Sequence, residues 1–345
     1  MLVANYYSNR DIRLEERPIP QIDEGECLIK IQASSICGSD LMEWYRRDSV
    51  PVVLGHETAG EIIEVGEGVN HLEAGNRVVV SHHVPCLECR YCRRGHETMC
   101  HTLKSTTFDP GGFSQYVRLP KINTRLGVFP IPENVTYEEA SFAEPLACVL
   151  RGQNRVNLTV GDVVAVIGSG ISGILHIALA KARGAECIIA ADINKNRLPW
   201  AQKFGADRVT EDANAIASML MEQTGRKADI VILTTGHPAV IQAGFEAAEE
   251  GATVLLFAPS DPDKTVQIDI NKLFFKHDRT VTTTYANSPS DLREALQLIS
   301  EKKVVVKKMI THRIALDEIQ YGFDLVQNGT ESLKVIVEPN RNGNS

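Results

Sequence analysis

At 345 residues and 38.0 kDa the chain is too long for one ordinary domain and suits two, and its apolar share of 43% is enough to build a sizeable core. A formal net charge of −8 argues against nucleic acid, which wants a basic face to neutralise phosphates. No apolar run approaches the roughly 18 residues of a membrane span, and the N-terminus MLVANYYSNRD lacks a basic stretch followed by an apolar one, so a soluble, cytoplasmic protein is expected.

From Leu2 to about Ala33, short runs of period-two alternation, clearest in CLIKIQA, are broken by Pro18, Pro20 and Gly25, as β-structure with turns requires. SSICGSDLMEW, Ser34 to Trp44, opens a helix after Cys37-Gly38. In PVVLGHETAGEIIEVGEGV a glycine, a histidine and a glutamate stand together at Gly55, His56 and Glu57, in front of an apolar strand. Such a cluster binds a metal or makes an ordinary turn. Gly60 and Gly66 are read as shaping turns around it. EIIEV and RVVV then complete an all-β lobe that fills most of residues 1–150.

CLECRYCRRGHETMC places Cys86, Cys89, Cys92 and Cys100 at spacing C-x2-C-x2-C-x7-C, while Cys27, Cys37, Cys148 and Cys187 are scattered. Four thiolates this close in a charged loop can surround a tetrahedral ion; free thiols, disulfides and an iron–sulfur cluster are the competing readings. A closed four-ligand zinc leaves no position for substrate, so its work would be to hold the loop together. The neighbouring pair His82-His83 is read as outside any metal site, because the cysteines already close this one.

Near Val160 the pattern changes to alternating strand and helix. VVAVIGSGISGILHIALAKARGA is an apolar strand, a glycine-rich turn and a helix. Gly168, Gly170 and Gly173 form G-x-G-x-x-G, which serves a tight turn, close approach of a pyrophosphate and helix–strand packing. The next strand, CIIAAD, ends in Asp192, which can accept ribose hydroxyls and would repel a 2′-phosphate. NAD is therefore expected over NADP. DIVILTTG, ATVLLFAPS and RTVTTTYA continue the alternation, which implies a doubly wound parallel sheet over 151–289. His176, on the first of its helices, reads as core or helix surface. After Ser288 come the helix SPSDLREALQLISEKK, the segment MITHRIALDEIQYGFDLVQNG, a last strand KVIVEP, and a polar tail from Asn340 expected to be disordered.

A CGSD turn, a Gly-His-Glu stretch, a four-cysteine loop and a dinucleotide loop in that order resemble the zinc-dependent medium-chain alcohol and polyol dehydrogenases, in particular the sorbitol and threonine dehydrogenase branch. The resemblance spans almost the whole chain. It implies an α/β protein with a β-rich GroES-like catalytic domain over 1–150 and 290–345, carrying the structural zinc lobe at 86–100, and a Rossmann coenzyme domain. It also implies two zinc ions per chain, Cys37 and His56 as ligands of the catalytic one, and Glu57 and Glu144 as candidates for its remaining protein ligand, with Cys148 as the substitute for Glu144. Ser39 would take the proton of the substrate hydroxyl. Gly168, Gly170, Ile171, Ser172, Gly173, Asp192, Arg197, Thr235 and Lys334 are the expected NAD contacts, Lys334 near the pyrophosphate.

The activity implied is interconversion of a secondary alcohol, a polyol or sugar derivative, and its ketone by hydride transfer. L-threonine 3-dehydrogenase, a butanediol-type dehydrogenase and a catalytically silent zinc- and NAD-binding protein are the alternatives. A homodimer or homotetramer is implied as well. Two departures stand out. Met42 occupies the place where many relatives have a relay histidine, which leaves Glu43 or the cofactor ribose and water to finish the relay. The loop WYRRDSV is short, so that Arg46 and Arg47 either meet an anionic or polyhydroxylated substrate or contact only water.

Overall fold

The computed structural model describes residues 1–341, and the chain divides into two compact units, Met1–Ala147 with Asn287–Ser345, and Cys148–Ala286. One division falls inside the single helix Ala143–Arg155, so no linker marks that boundary in the sequence.

The first unit is built on antiparallel strands. β1 (Leu2–Ser8), β2 (Asp11–Glu16) and the two-residue β4 (Val52–Val53) make a small sheet. β3 (Cys27–Ser35), β5 (Glu57–Val65), β6 (Arg77–Val80), β7 (Tyr116–Leu119), β8 (Val128–Pro130), β15 (Ile310–Ala315) and β16 (Lys334–Glu338) make a seven-stranded one in the order β15-β16-β3-β5-β6-β8, with β7 also on β3. Alternation sets the cores. Ile29, Ile31, Ile62, Val78, Val80 and Val117 face one cluster, and Val3, Tyr6, Ile36, Phe113, Phe323, Val335 and Val337 form another.

The segment after Cys37 is two short turns of helix, Gly38–Leu41 and Glu43–Arg46, rather than one continuous helix. Gly60 is likewise not in a turn. It pairs with Ile31 inside β5, and a Cβ there would lie 2.3 Å from the Lys30 carbonyl oxygen. The first two residues of the expected tail are ordered: the Asn340 amide donates to the Ile31 carbonyl at 2.7 Å and Arg341 Nη1 to Glu338 Oε2 at 3.2 Å; 342–345 lie outside the described residues.

The second unit is a six-stranded sheet of β9 (Val163–Ile167), β10 (Cys187–Ala191), β11 (Arg208–Thr210), β12 (Ala228–Leu233), β13 (Ala248–Leu256) and β14 (Thr280–Thr283). Every pairing is parallel and the order is β11-β10-β9-β12-β13-β14, which is the Rossmann order and reverses between β9 and β12. β9 and β10 are buried at every position, as strands covered on both faces must be. His176 is fully buried here, edge-on to Phe257 with ring centroids 4.5 Å apart, and burial pushes its imidazole down to about 3. It is a core residue. All eight cysteines are free, and Cys27 and Cys187 are core.

Because a Cβ at Gly60 would collide with the Lys30 carbonyl of β3, Gly60→Ala is expected to destabilise the chain by about 2–3 kcal/mol through overpacking against backbone. Urea unfolding measures this; an unchanged midpoint would show that the two strands can separate at no cost.

Candidate active site

The register of three strands assembles the first constellation. Ser35, the last residue of β3, pairs with Glu57, the first of β5, and on its other side with Ile336 of β16. Cys37 leaves the end of β3 as His56 enters β5, so both reach the same sheet edge, and Lys334 opens β16 at the level of Cys37. Gly55, at φ +91°, makes the turn that delivers His56.

Ligand atoms of Cys37, His56 and Glu57 lie within 4.8 Å of one another, and Glu144 is not a member of that group. The Glu144 carboxylate, in the first turn of the helix Ala143–Arg155, accepts the Asn287 amide at 2.8 Å. Ser39 Oγ donates to Cys37 Sγ at 3.3 Å rather than capping a helix. Met42 ends the first short turn, and Glu43 accepts the Asn9 backbone N–H at 2.9 Å.

The sequence reading missed Asp40. Fully buried, it accepts the Cys37 N–H at 3.0 Å through Oδ2 and places Oδ1 3.4 Å from His56 Nδ1. Burial alone would raise its carboxyl, but the facing His56, then Arg46 and the Cys37 N–H, outweigh that and hold it below the usual value. Burial opposes charge on His56 too, yet Asp40 and then Cys37 lift its imidazole well above the ordinary value. A carboxylate on Nδ1 orients the ring and leaves the other nitrogen as a metal donor, and a bound cation would displace the extra proton. The signal was present in CGSD as an acid three residues after a cysteine. His82, also passed over, lies with its ring centroid 5.0 Å from that of His56, and burial drives its imidazole well below the ordinary value.

Lys334 is placed differently from the expectation of a pyrophosphate contact. Its ammonium is buried, donates to the Ile36 carbonyl at 3.2 Å and pairs with Glu57 Oε2, to which the Ser35 hydroxyl also donates. Glu57 Oε1 is sealed from solvent without a hydrogen-bond partner. An acceptor in that state, beside a thiol and an imidazole, is what a divalent cation would satisfy, so the residues fit zinc.

The four-cysteine loop fits zinc independently. Sγ–Sγ separations are 4.0 Å for Cys86–Cys92, 3.6 Å for Cys89–Cys92 and 3.6 Å for Cys86–Cys100. A tetrahedron with metal–sulfur bonds of about 2.3 Å has edges of about 3.8 Å. Burial opposes ionisation of Cys100, but the N–H groups of Cys86 and Leu103 overcome it and bring the thiol to about 6, whereas burial pushes Cys92 up to about 12. A cation at the centre removes that conflict.

In the second unit Ile167, Ala191 and Leu233 end β9, β10 and β12 in register, so Gly168, Asp192 and Thr234 leave the sheet side by side. A Cβ on Gly168 would lie 2.3 Å from Thr234 Oγ1 and one on Gly173 1.9 Å from the Gly168 carbonyl oxygen, whereas at Gly170 the nearest atom is Arg197 Nη1 at 3.8 Å. The outer glycines are needed for packing, and the middle one faces an open cradle. Gly170 caps the helix Ile171–Ala182 without a side-chain bond, leaving its first N–H groups for a phosphate. Ser172 is in that first turn. Asp192 accepts from Ser169 N at 2.7 Å and Asn194 N at 2.8 Å and faces Arg197 Nη1 at 3.6 Å. Thr235 follows half-buried, next to the Thr234 hydroxyl that braces Gly168 O at 2.9 Å.

Residues 23–133 match the alcohol dehydrogenase GroES-like domain and residues 172–301 the zinc-binding dehydrogenase domain. The chain is 31% identical to a sorbitol dehydrogenase of Bacillus subtilis over 99% of its own length and 98% of that protein's. It is 36% identical to the L-threonine 3-dehydrogenase of the same organism, over 94% of each.

The chain belongs to the zinc-dependent medium-chain alcohol dehydrogenases.

It is thus an oxidoreductase of alcohols or polyols. The dehydrogenase fold is also that of an Escherichia coli alcohol dehydrogenase solved with NADH, at TM-score 0.88 and 26% identity over 98% of this chain and 99% of that one.

For this dehydrogenase, Lys334→Met is expected to cost about 3–5 kcal/mol by stranding the buried Glu57 carboxylate. Adding Glu57→Gln should recover at least half of it in urea unfolding. A double variant no more stable than Lys334→Met would mean that the lysine acts through packing instead.

Proposed function

We propose that the chain oxidises a secondary alcohol of the polyol or sugar-derived class to its ketone with NAD. The observation that carries this reading is the convergence of Cys37, His56 and Glu57, with Ser39 Oγ at 3.3 Å from Cys37 Sγ.

Cys37, His56 and Glu57 hold the catalytic zinc, Asp40 fixes the His56 ring, and Lys334 with Ser35 fixes Glu57. Glu144, whose carboxylate accepts the Asn287 amide, is the alternative to Glu57 as the remaining protein ligand. Cys86, Cys89, Cys92 and Cys100 hold the structural zinc. When bound, the zinc ion supplies Lewis acidity that lowers the pKa of the substrate hydroxyl, and NAD supplies the hydride acceptor. Ser39 takes the proton of that hydroxyl; Glu43, occupied by Asn9, does not continue the relay. Gly168, Gly170, Ile171, Ser172 and Gly173 cradle the pyrophosphate, Asp192 and Arg197 meet the adenosine ribose, and Thr235 borders the same crevice. Asp192 selects NAD over NADP by repelling a 2′-phosphate. Oxidation of L-threonine is the second reading, favoured by the higher identity to the threonine relative.

Purified protein should carry about two zinc ions per chain, one of them lost in Cys37→Ala and the other in Cys92→Ser. With a panel of polyols, diols and L-threonine it should reduce NAD faster than NADP, and Ser39→Ala should lower kcat roughly 10²–10⁴-fold at unchanged zinc content. Faster reduction of NADP would remove the Asp192 argument, and a fully active Ser39→Ala would remove the serine from the proton path.

The same reading includes a homodimer or a dimer-based tetramer. β14 is the edge of the six-stranded sheet, and the segment leading to it exposes Ile270 at 66%, Phe274 at 71% and Phe275 at 60%. An edge strand beside an apolar patch invites pairing with a second copy. Light scattering should report an oligomer for the wild type and a smaller species for Phe274→Glu/Phe275→Glu; a wild-type monomer would remove the proposal.

A further inference from the structure

The guanidinium of Arg46 has more bonding capacity than the structure uses. It carries five N–H donors. One of them, on Nη2, makes a long bond to the Ser39 carbonyl at 3.4 Å, and Nη2 stands 3.7 Å from Asp40 Oδ1. Nε is sealed from solvent without a partner, and the side chain as a whole is only 20% exposed. Arginine–carboxylate pairs normally close to about 2.7–2.9 Å and engage both oxygens, and the contact with Asp40 does neither. Of the neighbouring acids, Glu43 Oε1 accepts the Asn9 N–H and Asp40 Oδ2 the Cys37 N–H, while Asp40 Oδ1, the oxygen nearest Arg46, is buried without a hydrogen-bond partner. The Tyr45 ring, 4.6 Å from the guanidinium carbon, fixes its plane.

Its location gives the spare donors a purpose. Asp40 Oδ1 is shared by Arg46 and the proposed zinc ligand His56, and the Ser39 whose carbonyl Arg46 touches is the proposed proton acceptor. A largely buried, under-bonded cation in contact with the proposed proton acceptor is suited to receive an anion carried by the substrate itself. We propose that Arg46 is a specificity-determining residue that binds a carboxylate on the substrate, so that the preferred alcohol is a hydroxy acid, either a sugar acid or a hydroxy amino acid. This rests on the reading of the chain as a secondary-alcohol dehydrogenase. Arginine suits the task because its planar fork matches both carboxylate oxygens, which a lysine ammonium does not.

The competing role for Arg46 is that of counter-ion to Asp40 alone, and the test separates the two. Zinc-loaded full-length enzyme with NAD is assayed against D-gluconate, D-galactonate, L-idonate and L-threonine and against the neutral sorbitol, galactitol and L-iditol. In parallel, zinc is counted by mass spectrometry, and D-gluconate, L-threonine and sorbitol are titrated calorimetrically into the NAD complex. The expected result is that at least one carboxylate-bearing substrate exceeds every alditol in kcat/KM. In Arg46→Met that ratio should fall roughly 100-fold, chiefly through KM, with zinc retained, and Arg46→Lys should restore part of it.

The sugar-acid and threonine arms identify which carboxylate is meant. Preference of the wild type for an alditol, a ratio that survives Arg46→Met, or loss of zinc from that variant would each overturn the proposal, the last by making Arg46 a support of Asp40. Oxidation of alditols alone would leave the broader function standing, whereas no oxidation of any alcohol would remove both.

Discussion

The pairing of Ser35 with Glu57 and with Ile336 is the constraint on which the catalytic unit depends. It fixes three chain segments at one level of a sheet, so that Cys37, His56 and Lys334 reach one place from distant parts of the sequence. A slip of one residue would turn Glu57 to the opposite face, and the buried charge of Lys334 would then have no partner. The ion pair is therefore less a source of stability than a penalty on wrong register, because breaking a buried pair costs far more than forming it gains.

The coenzyme unit reaches a similar precision by different means. Parallel strands ending flush present three loops at the reversal of strand order, and two of the glycines in the first loop are there because neighbouring atoms already fill the space of a side chain. Backbone close approach does here what a charged network does in the other unit. Thr234, bonded to the carbonyl oxygens of Ile167 and Gly168, joins the two loops without carrying any charge of its own.

Much of this was legible in the sequence, because glycine spacing, cysteine spacing and alternation are local patterns with local causes. The strand–loop–helix around Gly168 and the four-cysteine loop needed nothing from the rest of the chain. Asp40 and Lys334 were harder. The role of Asp40 depends on facing a histidine that arrives from another strand, and Lys334 owes its partner to strand register, which spacing does not reveal. His82 was set aside because the cysteines beside it already form a complete ligand set, yet it sits against His56 instead. Gly60 was taken for a turn residue although its constraint is inside a strand, since a glycine required for close packing and one required for a turn look alike in one dimension. The division of the chain inside the helix Ala143–Arg155 leaves no compositional mark at all.

The four-cysteine loop has a consequence for handling the protein. Its sulfurs stand 3.6–4.0 Å apart, in van der Waals contact though well beyond the roughly 2.05 Å of a disulfide bond, and all eight cysteines are free. The metal that separates them is also their protection against oxidation, because a metal-bound thiolate is not available for disulfide exchange. Chelation in air would convert a reversible loss of zinc into a covalent one, and only a reductant followed by zinc, in that order, would reverse it.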